Sequence, residues 1–177
     1  TGIAYLLIVS LLPKIVPNGG YRVEGILVAH NFFLSGFSLV MFLGCAVEVF
    51  HRVQAEGWGW TVCEEPGGRS AGPLYFWTYV FYVSKLYELL DTILVMVKGS
   101  RPQHYMLHVF HHSAVPVLVW AWLQWQMSLQ HIGLLWNSLV HVVMYFYYGL
   151  QAMERLGHLS PERPIFDQHT LCLPCVA

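Results

Sequence analysis

Gln103 to Gln124 reads QHYMLHVFHHSAVPVLVWAWLQ, and within it His104, His108, His111 and His112 follow at spacings of four, three and one. On a helix of 3.6 residues per turn those spacings set all four imidazoles on one face. The rest of the segment is apolar and about the length needed to lie across a bilayer. Ionisable side chains are costly in hydrocarbon, so they normally face a bundle interior or a wet cavity and mark where something is bound or transformed. A lone histidine on such a helix is commonly satisfied by packing against its neighbours; His-x-x-His-His is not accounted for in that way.

The composition agrees with a membrane setting. Of the 177 residues 56% are hydrophobic and 11% charged, against roughly 45–50% and about 25% in soluble chains. A net charge of −1 with no basic cluster gives nothing to track a phosphate backbone, which excludes a nucleic-acid partner. The four cysteines, Cys45, Cys63, Cys172 and Cys175, are too few and irregular for a disulfide framework. Cys172-Leu-Pro-Cys175 lacks both the second half of a zinc site and the βαβ setting of a redox site, and reads as chance spacing.

Taken in order, Thr1 to Val16 is the tail of a first membrane helix, its end interrupted by Pro13 and Lys14. With no initiator methionine before Thr1, the start of that helix is expected upstream. Pro17 to Gly20 is a turn, and Ile26 to Phe50 a second span. His51 to Pro73 is a polar loop. Leu74 to Val97 is a third span that carries Lys85, Glu88 and Asp91, and Lys98 to Pro102 is a tight basic turn leading into the histidine helix, with a bend expected near Pro116. Leu129 to Ala152 is a fifth span with a polar stripe, Asn137, His141, Tyr145 and Tyr148. The expected fold is therefore all-α, a polytopic transmembrane helix bundle with about five spans over residues 1–153, followed by an irregular tail over 154–177.

Lys14, Arg22, Lys98, Arg101 and Arg155 fall at the span ends that share one side, which the positive-inside rule makes cytoplasmic. Cys63 is then lumenal and open to a disulfide. At 1.5 Å per residue, Glu88 and Asp91 lie roughly 10–15 Å below the basic turn, His108 to His112 roughly 8–14 Å, Tyr145 about 10 Å and His141 about 16 Å. Three spans thus offer carboxylate, imidazole and phenol at one level. Lys85 lies near the bilayer centre and needs a partner, for which Glu88 at i+3 is suited, with Thr92 extending the face. Tyr147 reads as an interfacial aromatic, and His30 and His131 as packing histidines.

Two chemistries use such a cluster. Histidines can hold iron, as in membrane desaturases and hydroxylases, but such sites need about eight ligands from several boxes and this chain offers one dense box and His141. Imidazole can instead serve without metal as base or nucleophile, with a dry bundle protecting an acylated intermediate. A non-enzymatic transporter or lipid-binding bundle fits the buried charges and leaves His111-His112 without a role.

Lys85-x-x-Glu88-x-x-Asp91-Thr92, then Gln103 and His108-x-x-His111-His112, then Asn137-x-x-x-His141-x-x-Met144-Tyr145-x-Tyr147-Tyr148 resemble, in order and spacing, the ELO family of very-long-chain fatty acid elongases. The resemblance runs from about Tyr5 to Met153 and includes Asn31. It implies the condensing step of elongation in the endoplasmic reticulum membrane: fatty acyl-CoA and malonyl-CoA give a 3-oxoacyl-CoA, CO2 and CoA, with no metal and no cofactor. It further implies His111 as nucleophile with His141 beside it, His108 and His112 in the same catalytic group, and Lys85, Glu88, Asp91, Asn137, Tyr145 and Tyr148 as substrate-binding. Membrane lipid and other enzymes of the elongation cycle are the implied partners. The family has seven spans, six of them around an acyl tunnel. Two helices are therefore expected beyond the five read here, and His104 stands where the family box has no histidine.

Overall fold

The computed structural model describes residues 2–62, 72–102, 104–125 and 127–157. Cys63, Gln103, Cys172, Cys175 and the tail from 158 lie outside them. The described residues form six α-helices, α1 (Gly2–Ile15), α2 (Glu24–Glu56), α3 (Pro73–Tyr87), α4 (Leu89–Val97), α5 (Tyr105–Trp125) and α6 (Gln130–Arg155), with a 3₁₀ turn at Gly59–Thr61.

The arrangement is inside-out relative to a water-soluble protein. His30, Asn31, Ser35, Ser38, Lys85, Glu88, Thr92, His112 and His141 are buried, while Phe33, Leu39, Val40, Leu43, Val47 and Phe50 on α2 alone are exposed. In a bilayer the apolar outside is solvated by lipid and the polar groups must find partners within. Helices α2 and α5 are each long and apolar enough to cross a membrane.

Helices α2 and α6 pack along most of their length, with Ser35 donating to the Val142 carbonyl at 2.9 Å and Gly149 lying under the Phe32 ring. Small residues let the two backbones approach closely, as membrane helices require. Helix α3 lies against α2, α6 and α5, and α1 rests on α4 and α5. An apolar core of Met41, Cys45, Phe81, Val119 and Leu134 fills one half of the bundle. The polar layer occupies the other.

That polar half ends where the basic residues cluster. The Tyr21 amide donates to the Val97 carbonyl at 2.9 Å, Lys98 reaches Glu24 at 3.5 Å, and Ala152 near the end of α6 packs with Val23, Leu27, Leu94 and Val97. Gly20, at φ 64°, backs directly onto the Lys98 carbonyl. A methyl group there would meet both a left-handed backbone and a rigid carbonyl, so Gly20→Ala is expected to cost about 1–3 kcal/mol. Thermal unfolding in detergent checks this, and an unchanged midpoint would mean that the two turns do not dock.

Four sequence expectations need correction. Helix α2 continues to Glu56 rather than stopping at Phe50. His51 to Glu56 holds no glycine or proline, Arg52 pairs with Glu56 one turn on at 3.0 Å, and the helix stops only where Gly57 takes φ 78°. The third span is two helices joined at Glu88, where the Asp91 amide bonds the Glu88 carbonyl three residues back at 3.0 Å. This local 3₁₀ winding brings i and i+3 side chains into register. Helix α1 runs through Pro13 to Ile15. His104 is not on the histidine stripe: it sits before the first turn of α5 at φ 47°, exposed, its carbonyl accepting the His108 amide at 3.0 Å.

Candidate active site

Glu88 stands at the joint between α3 and α4, 1% exposed, with Lys85 three residues before it in the last turn of α3. The Lys85 ammonium donates to both carboxylate oxygens, at 2.7 and 2.9 Å, and lies 4.5 Å from the centre of the Phe81 ring. His141, on the buried face of α6, brings Nδ1 to 3.3 Å from Lys85 Nζ and 3.3 Å from Glu88 Oε1. Nδ1 either accepts from the ammonium or donates to the carboxylate, so the ion pair sets the tautomer of His141 and thereby what Nε2 offers on the other side of the ring.

A second group forms around Asp91, one turn along α4. Its Oδ2 accepts from the Tyr145 hydroxyl and its Oδ1 from His30 Nε2 on α2, while the Tyr87 hydroxyl lies 3.3 Å from His30 Nδ1. The Tyr145 ring stands edge-on to His141, centroids 5.2 Å apart. The two groups therefore touch.

A third chain links α1 to α5. Tyr5 bonds Thr92 at 2.9 Å, and Thr92 bonds His108 Nε2 at 2.9 Å. A buried phenol is the better donor, so Tyr5 gives its proton to Thr92 Oγ1 and Thr92 gives its own to Nε2, which leaves the His108 proton on Nδ1. Removing the phenol oxygen in Tyr5→Phe is expected to cost about 1 kcal/mol, read as a lowered unfolding midpoint. No loss would show that α1 is not fastened to the site through this bond.

The His108 and His112 rings lie 4.2 Å apart and His112 and His111 5.5 Å apart. His111 is half-buried and His112 buried. Beside His112 a cavity of about 130 Å³ opens between α3 and α5, walled by Tyr82, Leu86, Leu89, Pro116 and Trp120. Among the described residues no three His, Cys, Asp or Glu side chains converge as a metal would need.

Of the residues singled out from sequence, Lys85, Glu88, Asp91, His141 and Tyr145 are joined in contact, and His108, His111 and His112 form a second, adjoining cluster. Asn137 presents a buried Oδ1 that no group of the described residues satisfies. Tyr148 does not join them: it is 38% exposed and packs its ring 6.0 Å from that of Tyr147. His131 is buried against Trp60, ring centroids 5.0 Å apart, as a packing histidine would be. His30 was not expected in the site. Its position, 61 residues before Asp91, carries no local spacing signal; the nearest hint is that it is an ionisable residue within an apolar span.

The chain matches the family described as ELO: GNS1/SUR4 over residues 1–165. It is 35% identical over 151 residues to fatty acid elongase sre1 of Dictyostelium discoideum, covering 84% of this chain and 55% of that protein. It is 36% identical over 160 residues to the very long chain fatty acid elongase 5 of Rattus norvegicus, covering 86% and 50% respectively, and 35% identical over 162 residues to that of Homo sapiens, covering 87% and 51%. The chain thus spans about half the length of the curated relatives it matches. An all-helical, inside-out bundle with a buried polar layer, matched along nearly all of its length, belongs to the ELO: GNS1/SUR4 family.

Proposed function

We propose that the protein catalyses the condensing step of fatty acid elongation, in which a fatty acyl-CoA and malonyl-CoA give a 3-oxoacyl-CoA, CO2 and CoA. The observation that carries this reading is the convergence of Lys85, Glu88 and His141, held within 3.3 Å of one another, with a histidine pair whose ring nitrogens no group among the described residues engages.

In the first half-reaction an imidazole nitrogen of His111 attacks the thioester carbonyl. The N–C bond forms, the C–S bond breaks, and CoA leaves as a thiolate that takes up the proton released from the ring. In the second, malonyl-CoA loses CO2, and the electron pair of the broken C–C bond becomes an enolate. Its carbon attacks the acyl-imidazole; the N–C bond breaks and the electrons return to the ring, which takes up one proton from solvent, the proton the net reaction consumes. An acyl-imidazole is an activated species, so excluding water protects it from hydrolysis.

His141, fixed at Nδ1 by the ion pair, presents Nε2 for proton transfer, and His108 and His112 complete the catalytic group. Lys85, Glu88, Asp91, Asn137 and Tyr145 bind and orient substrate, the free Oδ1 of Asn137 being suited to a donor on it. The protein is multi-pass in the endoplasmic reticulum membrane with its N-terminus lumenal. Its basic end is cytoplasmic and faces the CoA phosphates, and the acyl tail runs towards the lumenal side between helices. Other enzymes of the elongation cycle receive the product.

The test is to supply microsomes containing the whole protein with an acyl-CoA and labelled malonyl-CoA. Label is expected in a lipid product two carbons longer than the acyl chain supplied. No label above control microsomes would remove the assignment.

A further inference from the structure

We infer that His30 is a positioning residue for this site, acting through Asp91 and Tyr145 to fix the pose of His141. The inference rests on the condensing-enzyme reading above and extends it to a residue on α2 outside the sequence motifs.

The geometry is specific. His30 is buried on α2, Asp91 lies in the first turn of α4, and Tyr145 is buried on α6, so the Asp91 carboxylate is clasped between two helices. Each oxygen has its own donor: His30 Nε2 for Oδ1 and the Tyr145 hydroxyl for Oδ2. A carboxylate held at both oxygens cannot rotate about its Cβ–Cγ bond without breaking one of them. The Tyr87 hydroxyl, 3.3 Å from Nδ1, holds the His30 ring from its other side. The chain of contact then runs from Asp91 to the Tyr145 hydroxyl, and from the Tyr145 ring to the His141 ring at 5.2 Å between centroids.

The other face of His141 is fixed by the Lys85–Glu88 pair at Nδ1. A ring steadied at one nitrogen can still tilt about that contact, and Tyr145 is the group that opposes the tilt. Without His30, Oδ1 of a buried carboxylate loses its donor. Asp91 can then turn its free oxygen towards the Tyr145 hydroxyl, and the phenol ring moves with it. The reacting nitrogen of His141 is displaced, while Lys85, Glu88 and Asn137 keep their places. Ring and donor placement of this kind governs turnover more than affinity.

The experiment compares His30→Ala and His30→Gln in the whole protein in microsomes, with turnover scaled to inserted protein and KM measured for the acyl-CoA. His30→Ala is expected to lower kcat about tenfold and leave KM within about twofold. His30→Gln, whose amide nitrogen reaches about as far as Nε2 and can donate to Oδ1, is expected to recover most of kcat. In a Tyr145→Phe background, which has no hydroxyl for Asp91 to hold, His30→Ala should cause no further loss, because the two act in series. Wild-type turnover in His30→Ala, failure of His30→Gln to recover it, or fully additive losses with Tyr145→Phe would each overturn the inference while leaving the condensing assignment intact. A wild-type protein that forms no condensation product would overturn both.

Discussion

Glu88→Ala is expected to lower the unfolding free energy by about 3–5 kcal/mol, because it strands an ammonium in the middle of a bundle. Lys85 is 2% exposed and Glu88 1%, so neither charge can be rehydrated where it stands. Removing both charges with well-packed apolar residues is a different experiment. Lys85→Met with Glu88→Leu is expected to restore stability to about the wild-type level, since replacing a whole buried pair is often neutral or favourable. Turnover should not return, because His141 Nδ1 would have lost both its partners. Thermal or denaturant unfolding in detergent gives the first quantity and labelled malonyl-CoA incorporation the second. A Glu88→Ala protein that unfolds within about 1 kcal/mol of wild type would show that Lys85 is not held by this carboxylate. A fully active double variant would show that the pair is structural only.

His111→Ala is the second large effect. If the imidazole is the acyl carrier, its removal is expected to lower turnover by roughly a thousandfold or more, as loss of a nucleophile does elsewhere. The protein should still insert and unfold normally. The ring is half-buried at the edge of the polar layer and makes no hydrogen bond among the described residues, so little packing is lost with it. Near-normal turnover in His111→Ala would transfer the nucleophile's role to another residue.

What could be read from sequence depended on the range of the interaction. The Lys85–Glu88 pair was legible because i and i+3 neighbours on a helix meet whatever the tertiary fold. Depth from helical rise put Glu88, Asp91, His141 and Tyr145 in one layer, and the bonds from Tyr145 to Asp91 and from Lys85 to His141 lie in that layer. Rotation about each helix axis was not legible. Tyr148 shares a spacing stripe with Tyr145, yet three residues on a helix advance about 300°, and that offset turns it out to 38% exposure.

His104 shows a second limit: periodicity counts residues but does not say where the first helical turn begins, and a left-handed residue at the boundary took it off the face. The joint at Glu88 and the extension of α2 to Glu56 are local backbone outcomes that a hydropathy pattern averages away. His30 and Tyr5 were missed for the opposite reason. Their partners, Asp91 and Thr92, are 61 and 87 residues away, and only the packing of α2 and α1 against α4 brings them together.

The proposed condensation requires an imidazole to carry the acyl group in a dry layer between helices. The most direct measurement is to incubate the whole purified protein with a labelled acyl-CoA in the absence of malonyl-CoA, quench, and map the label by peptide mass spectrometry. The prediction is one acyl group on His111, with release of one CoA, and loss of that adduct as 3-oxoacyl-CoA when malonyl-CoA is added. CoA retained in full with no adduct on His111, under conditions where condensation proceeds, would contradict it.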